Sequence, residues 1–186
     1  MVEVRVHYGS IDRVHDQVLD NVVDLGLVCY PQRRHGLGIE PFRQERLMLV
    51  CHPQHPLAAR PAVTMPDLAG HTLVAWNELH RSPFLRGVPR NHRHLFQPAH
   101  EFDQVELVKG LVRLGDSVAI LPESTVAAEV AEGGLAAVPF TDGGDTEPLG
   151  VIYRRAKKLT PAMQTFIREL KESSPPQDSS LAGAGD

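Results

Sequence analysis

Cysteine and histidine side chains are concentrated in one short stretch of the sequence, CHPQH at residues 51–55. Nitrogen and sulfur are the donors that zinc prefers, and a second group of histidines follows at His92, His94 and His100. Structural zinc sites usually take two pairs of ligands at regular spacing, and Pro53 restricts how this segment could wrap around an ion. Cys51 also ends an apolar run, so that His52 points to the opposite face. We therefore expect no metal and no other cofactor.

The sequence carries none of the common motifs for nucleophilic or nucleotide-dependent catalysis. It has no G-x-S-x-G turn, no P-loop and no G-x-G-x-x-G after a strand. His15 and Asp16 form a histidine–carboxylate pair, but they lie on a predicted helix face where exposure to solvent explains both. We expect a binding protein rather than an enzyme.

Residues 80–100 hold several arginines and no acidic residue, at positions Arg81, Arg86, Arg90 and Arg93. Two interpretations stay open: a solvated surface, or an arginine at the mouth of a cleft that pairs with a carboxylate or phosphate. A nucleic-acid surface is disfavoured because aromatic residues are not interleaved with these charges and the flanking sequence is acidic.

The composition is that of an ordinary globular protein. At 186 residues, with 42% hydrophobic and 23% charged residues and a net charge of −4, the chain has room for one large domain or two small lobes. No apolar run approaches the roughly 20 residues of a membrane helix, and no leader opens the chain. Cys29 and Cys51 lie in strand-like runs, which favours unpaired thiols and a cytoplasmic location.

Strand and helix patterns alternate along the chain. Residues 2–8 alternate apolar and polar as in a half-buried strand, and Ser10 provides an N-cap for the helix that follows. The apolar run 24–30 indicates a buried strand and completes a strand–helix–strand unit. Asp103 and Glu106 have the spacing of a capping box at the start of another helix. Further strands are predicted at 46–51, 71–76, 117–122, 135–140 and 149–155, and further helices at 123–132 and from Pro161. The class is α/β.

Five segments in this order resemble the effector-binding domain of LysR-type transcriptional regulators: VLDNVVDLGLV, GLGIEPFRQERLMLVCHPQHPLA, DLAGHTLVAW, FDQVELVKGLVRLGDSVAILPESTV and PLGVIYRRAKKLTPAMQTFIREL. The resemblance implies a two-lobed, periplasmic-binding-protein-like (type 2) fold whose chain crosses twice between the lobes. Lobe I would hold residues 1–47 and 149–172, and lobe II residues 48–148. Residues 173–186 would form a disordered tail.

The same resemblance implies a cytoplasmic regulator that senses a small-molecule effector in the cleft between the lobes. DNA binding would belong to a helix-turn-helix that is absent from this chain, and the full-length protein would be a homo-oligomer. The first strand and helix of the family's effector domain are also missing, so we expect a gap or an exposed edge in the sheet of lobe I. Asp116 departs from the family's glycine-rich turn and puts a charge near the expected cleft.

Ligands of open α/β sheets lie beyond the carboxyl ends of the strands, and this rule and the resemblance select the same candidates. The predicted ligand-binding residues are Gly9, Ser10, Tyr30, Pro31, Trp76, Asn77, Phe102 and Asp103. Ser10 and Asp103 could instead be simple caps, and Trp76 could belong to the core. We expect the effector to be a small anionic metabolite. The alternatives are an enzyme or a transport solute-binding protein on a similar two-lobed scaffold.

Overall fold

The computed structural model describes residues 4–77, 79, 82, 94, 97–141 and 146–172. Within them, the helices are α1 (Ile11–Leu19), α2 (Val105–Arg113), α3 (Glu123–Ala131) and α4 (Pro161–Glu172). The strands are β1 (Gly26–Cys29), β2 (Leu37–Cys51), β3 (Thr72–Trp76), β4 (His100–Phe102), β5 (Ser117–Pro122), β6 (Ala136–Pro139) and β7 (Thr146–Arg154). Short 3-10 helices occupy Pro56–Ala59 and Met65–Leu68.

The long strand β2 belongs to two sections of the sheet. Its residues 37–46 pair antiparallel with β7, which in turn pairs with β1. Its residues 47–51 pair antiparallel with β5 on one side and β6 on the other. β3 then lies parallel to both β5 and β4. The change of partners falls between Arg46 and Leu47, and the proposed lobe boundaries near 48 and 148 stay a prediction.

Alternate residues of β2 enter different cores because successive strand side chains point to opposite faces. Leu47 and Leu49 pack in a cluster beneath the two 3-10 helices. Met48 and Val50 pack in a second cluster, against α2 and α3. A third cluster joins α1 to β1, β7 and the first part of β2.

The helices that were predicted from apolar spacing form. In α2, Val108 and Val112 are fully buried, and Gly115 adopts a positive φ of 102° just past the helix end. Helix α3 ends before Gly133, which also has a positive φ. Helix α4 begins at Pro161 as expected, because a proline at the first position gives up no intrahelical hydrogen bond.

The strand predicted over residues 2–8 does not form in the described part of that segment. Residues 4–10 have no regular structure, and the apolar side chains of Val4, Val6 and Tyr8 are 56%, 66% and 93% exposed. An alternating pattern becomes a strand only when a neighbouring strand satisfies its backbone. Among the described strands, β1 stands at the end of the strand order, with β7 as its partner. The gap or exposed edge expected in the sheet of lobe I stays a prediction.

The capping box predicted at Asp103 and Glu106 is wrong. The N-cap of α2 is Gln104, and Glu106 pairs with Lys109 at 2.7 Å. Ser10 is the N-cap of α1 as expected, although its hydroxyl makes no capping hydrogen bond. The tail predicted at 173–186 lies outside the described residues, as do Arg81, Arg86, Arg90 and Arg93.

Candidate functional site

Four of the predicted ligand residues come together at the carboxyl ends of two parallel strands. Trp76 of β3 and Phe102 of β4 are register partners, and Asn77 and Asp103 follow them. The Trp76 indole Nε1–H donates to the backbone oxygen of Asp103 at 3.2 Å. The Asn77 amide Nδ2 donates to the Asp103 carboxylate at 2.5 Å. The Asp103 side chain therefore links two strand ends and does not cap α2.

Trp76 and Phe102 also contribute to the core. Both are partly buried against the cluster that contains Val108 and Val112. Their role is thus double, because each has one face packed on α2 and still keeps part of its surface accessible at the strand end.

Tyr30 and Pro31 lie directly after β1, beside the start of β7. The Tyr30 backbone N–H donates to the Pro148 oxygen at 2.8 Å. Tyr30 has a positive φ of 51°, a conformation that is unusual for a bulky side chain and is often found at functional sites. Its side chain is 7% exposed, and its hydroxyl is buried without a hydrogen-bond partner. Pro31 packs over Gly150, where an added Cβ would lie 2.8 Å from the proline ring.

Gly9 and Ser10 are exposed at the N-terminus of α1. Among the described residues, no hydrogen bond joins Gly9, Ser10, Tyr30 or Pro31 to the group around Asp103. A groove between Val4 and the first half of α4 contains none of the eight candidates. Their assignment to one ligand site stays a prediction.

The histidine-rich segment is organised by backbone hydrogen bonds. The Nδ1 atoms of His52 and His55 accept from the backbone N–H groups of Gln54 and Leu57, each at 3.2 Å. In neutral imidazole this places the proton on Nε2, which then cannot serve as a metal ligand. His55 contacts His71, with ring centroids 4.8 Å apart. Burial, His71 and His52 together lower the pKa of His55.

The described residues contain no group of three or more histidine, cysteine, aspartate or glutamate side chains placed to hold a metal ion. Cys29 and Cys51 form no disulfide, and burial raises the pKa of the Cys51 thiol to about 11. No helix in the described ranges has the length and apolar character needed to cross a bilayer.

Sequence reasoning missed two carboxylates at the point where the sheet sections meet. Glu45 of β2 lies directly opposite Glu147 of β7, and the two residues are 6% and 2% exposed. Arg43 forms an ion pair with Glu45. Burial raises the pKa of Glu147 to about 8. The alternation of Glu45 with the buried Leu47 was a usable signal for an inward carboxylate, whereas nothing in the residues before Glu147 indicates its burial.

Comparison with known proteins gives a consistent result. The LysR substrate binding domain family matches residues 1–175. The RuBisCO operon transcriptional regulator of Allochromatium vinosum is 30% identical over 158 residues, which cover 81% of this chain and 50% of the relative. An uncharacterized HTH-type transcriptional regulator of Escherichia coli K12, YeiE, is 26% identical over 88% of this chain and 56% of its own length. The chain spans about half the length of these relatives. Relatives and family are transcriptional regulators, not enzymes.

Solved structures show the same fold. HinK, a LysR family transcriptional regulator from Pseudomonas aeruginosa, superposes with a TM-score of 0.75 at 17% identity, covering 92% of this chain and 60% of that one. The regulatory domain of NMB2055 (MetR) from N. meningitidis gives a TM-score of 0.63 at 21% identity, covering 85% of this chain and 76% of that one. The fold is therefore the two-lobed, type 2 periplasmic-binding-protein-like α/β fold. The chain belongs to the LysR substrate binding domain family as a ligand-sensing regulatory domain.

Proposed function

We propose that residues 1–47 with 149–172 and residues 48–148 form two lobes that close on a small-molecule effector. The gathering of Trp76, Asn77, Phe102 and Asp103 at the carboxyl ends of β3 and β4 is the observation that carries this proposal. These residues supply an aromatic wall, an amide and a carboxylate at the position where α/β sheets bind ligands.

Lobe I contributes Gly9, Ser10, Tyr30 and Pro31 to the proposed site. The Tyr30 hydroxyl is buried without a partner, and a buried polar group in this state costs free energy that a ligand atom can recover. The positive φ of Tyr30 supports the same assignment, because strained backbone is kept where function requires it.

The effector is proposed to be a small anionic metabolite. The Ser10 hydroxyl makes no capping hydrogen bond, so it can donate to an anion at the N-terminus of α1, where the helix dipole favours negative charge. Binding must favour the closed state over the open one, since a ligand with equal affinity for both shifts no equilibrium. In the full-length protein, we propose a cytoplasmic homo-oligomer that contacts DNA through a helix-turn-helix outside this chain.

Thermal unfolding with a panel of small organic acids tests the proposal, with the corresponding amides as uncharged comparisons. A ligand at 100 times its Kd stabilises the folded state by about 2.7 kcal/mol. For a domain of this size, that shifts Tm by roughly 5–10 °C. Stabilisation by amides and not by acids would contradict the anionic class, and the absence of any shift would contradict ligand sensing by this chain.

Tyr30→Phe separates binding from folding. It removes the unpartnered hydroxyl, so Tm without ligand should stay equal or rise while the acid-induced shift falls. Tyr153→Phe on β7 is the matched control and should keep the full shift.

A further inference from the structure

The described residues contain five buried side-chain nitrogen or oxygen atoms without a hydrogen-bond partner, and four of them lie where β1, β2 and β7 meet. They belong to Tyr30, Arg43, Glu45 and Glu147. The Glu45 oxygen among them is in an ion pair with the Arg43 guanidinium, so the oxygens left without any partner are those of Tyr30 and Glu147. Buried polar atoms are nearly always satisfied, so this concentration at one junction requires an explanation. The junction is the place where β2 passes from one section of the sheet to the other.

Glu45 and Glu147 face each other across this junction. They are register partners in the antiparallel pair of β2 and β7, so their side chains leave the same face of the sheet. Cβ atoms at such positions are about 5 Å apart. With exposures of 6% and 2%, neither carboxyl is well solvated.

One cation accompanies the two acids. A bulge lies between Pro41 and Arg43, and beyond it the Arg43 guanidinium forms an ion pair with Glu45. A β-bulge commonly re-aims a side chain in this way. Arg43 therefore balances one negative charge and leaves the second uncompensated.

Among the described residues of β2 and β7, the register places apolar side chains next to Glu147 on the same face, apart from Glu45 and Arg43. On the same face, Leu47 of β2 and Leu149 of β7 are apolar, and β1 ends alongside at Tyr30. The next charged pair along these strands, Glu40 of β2 with Lys171 of α4, is compensated at 2.7 Å and lies nearer the surface.

Two buried carboxylates at this separation cannot both ionise without a large penalty. Burial is the cause that raises the pKa of Glu147, and the like charge of Glu45 is argued from the strand register and the burial of both residues. At neutral pH the arrangement of lowest charge is one arginine, one carboxylate and one carboxylic acid. The acid can then donate its O–H to the neighbouring carboxylate.

We propose that Glu147 and Glu45 share one proton across the strand pair that joins the two sheet sections, and that losing it loosens this junction. The relative orientation of the lobes then depends on pH as well as on effector. The inference extends the proposed function, because it concerns the same closure. It does not need the effector to be identified.

The sign of the pH effect follows from the direction of the shift. Burial raises the pKa of Glu147 from 4.5 to about 8, so the folded chain holds a proton that the unfolded chain releases between these values. The stabilisation that protonated Glu147 contributes to the folded state is complete below its ordinary pKa of 4.5. This stabilisation is lost as the pH rises through the folded-state pKa of about 8.

Two measurements on the 186-residue chain test the proposal. The first follows the side-chain carboxyl ¹³C signal of Glu147 by NMR between about pH 4 and pH 10, a range that covers the ordinary and the raised pKa. The second measures the distance between spin labels on the exposed positions Arg13 and Ala128, in a Cys29→Ser, Cys51→Ala background. We expect a titration of Glu147 well above pH 6 and a change in the label distance with the same midpoint.

Two variants test the roles of the two glutamates, and a third serves as a control. Glu147→Gln keeps a hydrogen-bond donor that cannot ionise, so the label distance should stay at its low-pH value throughout. Glu45→Gln removes the like charge and should lower the Glu147 midpoint by about one unit or more. The exposed Glu132→Gln is the control and should titrate as the parent.

A Glu147 midpoint near that of an ordinary glutamate, or a label distance that stays constant through the titration, would overturn the proposal. If Glu147→Gln does not fold, the titration and label-distance measurements on the parent chain and on Glu45→Gln still test the proposal. No effector is present in these experiments. A failed acid screen therefore leaves their result standing, and a failed titration leaves the ligand proposal standing.

Discussion

The Asn77 amide donates to the Asp103 carboxylate at 2.5 Å and so ties the residue after β3 to the residue after β4. The Trp76 indole reaches the backbone of the same aspartate at 3.2 Å. The edge of the sheet that is proposed to hold the effector is thus arranged before any ligand arrives. Such preorganisation reduces the cost of ordering side chains on binding.

Asn77→Ala should weaken ligand binding much more than folding. Asp103 is exposed, so losing the hydrogen bond should change the free energy of unfolding by less than about 1 kcal/mol. We expect the organic-acid-induced rise in Tm to fall by half or more, because the amide is proposed to contact the ligand and also positions the Asp103 carboxylate. Gln54→Ala, at an exposed position in the histidine-rich loop, is the control. Equal losses in both variants would contradict a role for Asn77 in the site.

A buried ion pair links α2 to α3. Lys109 Nζ lies 2.6 Å from Glu129 and 2.7 Å from Glu106, and it donates to the Thr125 oxygen at 3.2 Å. Burial works to lower the pKa of Lys109, but the hydrogen bonds to Glu106 and Glu129 outweigh it and the pKa is raised. The hydrogen bond from Lys109 is also the main cause that lowers the pKa of Glu129.

Lys109→Met should therefore destabilise the fold. The variant leaves the mostly buried Glu129 in an ion pair with Arg113, at 3.3 Å. Removing one partner of a buried pair costs about 3–5 kcal/mol, and the remaining arginine should reduce this to about 2 kcal/mol. Urea unfolding measures the change. Lys171→Met breaks the more exposed pair with Glu40 and should cost less than about 1 kcal/mol. Similar costs for the two lysines would contradict the buried character of Lys109.

Apolar spacing was sufficient to predict the helices, because burial alone fixes which side of an amphipathic helix faces the core. Val108 and Val112 lie four residues apart in α2, on one face of the helix, and both are fully buried. The start of the helix was harder to predict. Asp103 has the chemistry of a cap, but its carboxylate accepts a hydrogen bond from Asn77, which is 26 residues away in the sequence. A contact of that kind is set by the pairing of strands and not by local preference.

The strand predicted at residues 2–8 shows what a periodic pattern cannot predict. Alternation identifies a face that could be buried, but it does not supply the neighbouring strand. The positive φ of Tyr30 and the burial of Glu147 could not be predicted from the sequence either, since both depend on how β1, β2 and β7 pack together. The proximity of four candidate residues at the ends of β3 and β4 was predictable in part, because the carboxyl ends of parallel strands meet at one edge of a sheet. Their role in ligand binding stays a prediction.

The packing of α1 on the sheet of lobe I can be tested at Gly26. A Cβ added there would lie 2.6 Å from Val14 Cγ1 and 2.9 Å from Ile152 Cγ1, both on β-branched side chains with few alternative rotamers. Gly26→Ala should destabilise the fold by about 1–3 kcal/mol. Gly110 lies in α2 with no neighbour within 4 Å of its added Cβ, so Gly110→Ala should stabilise by up to about 1 kcal/mol. Denaturant unfolding of both variants gives the comparison, and destabilisation by both or neither would contradict these packing assignments.

The two cysteines should differ sharply in reactivity. Cys51 is fully buried in β2, and burial raises its pKa to about 11, so almost no thiolate is present near neutral pH. Cys29, at the end of β1, is partly exposed and forms no disulfide with it. A thiol reagent such as Ellman's should therefore modify one thiol per folded chain, at Cys29, and the second only after denaturation. Cys29→Ser should abolish the reaction of the folded chain, whereas Cys51→Ala should leave its rate unchanged. Rapid modification of Cys51 in the folded chain would show that the C-terminal end of β2 opens to solvent.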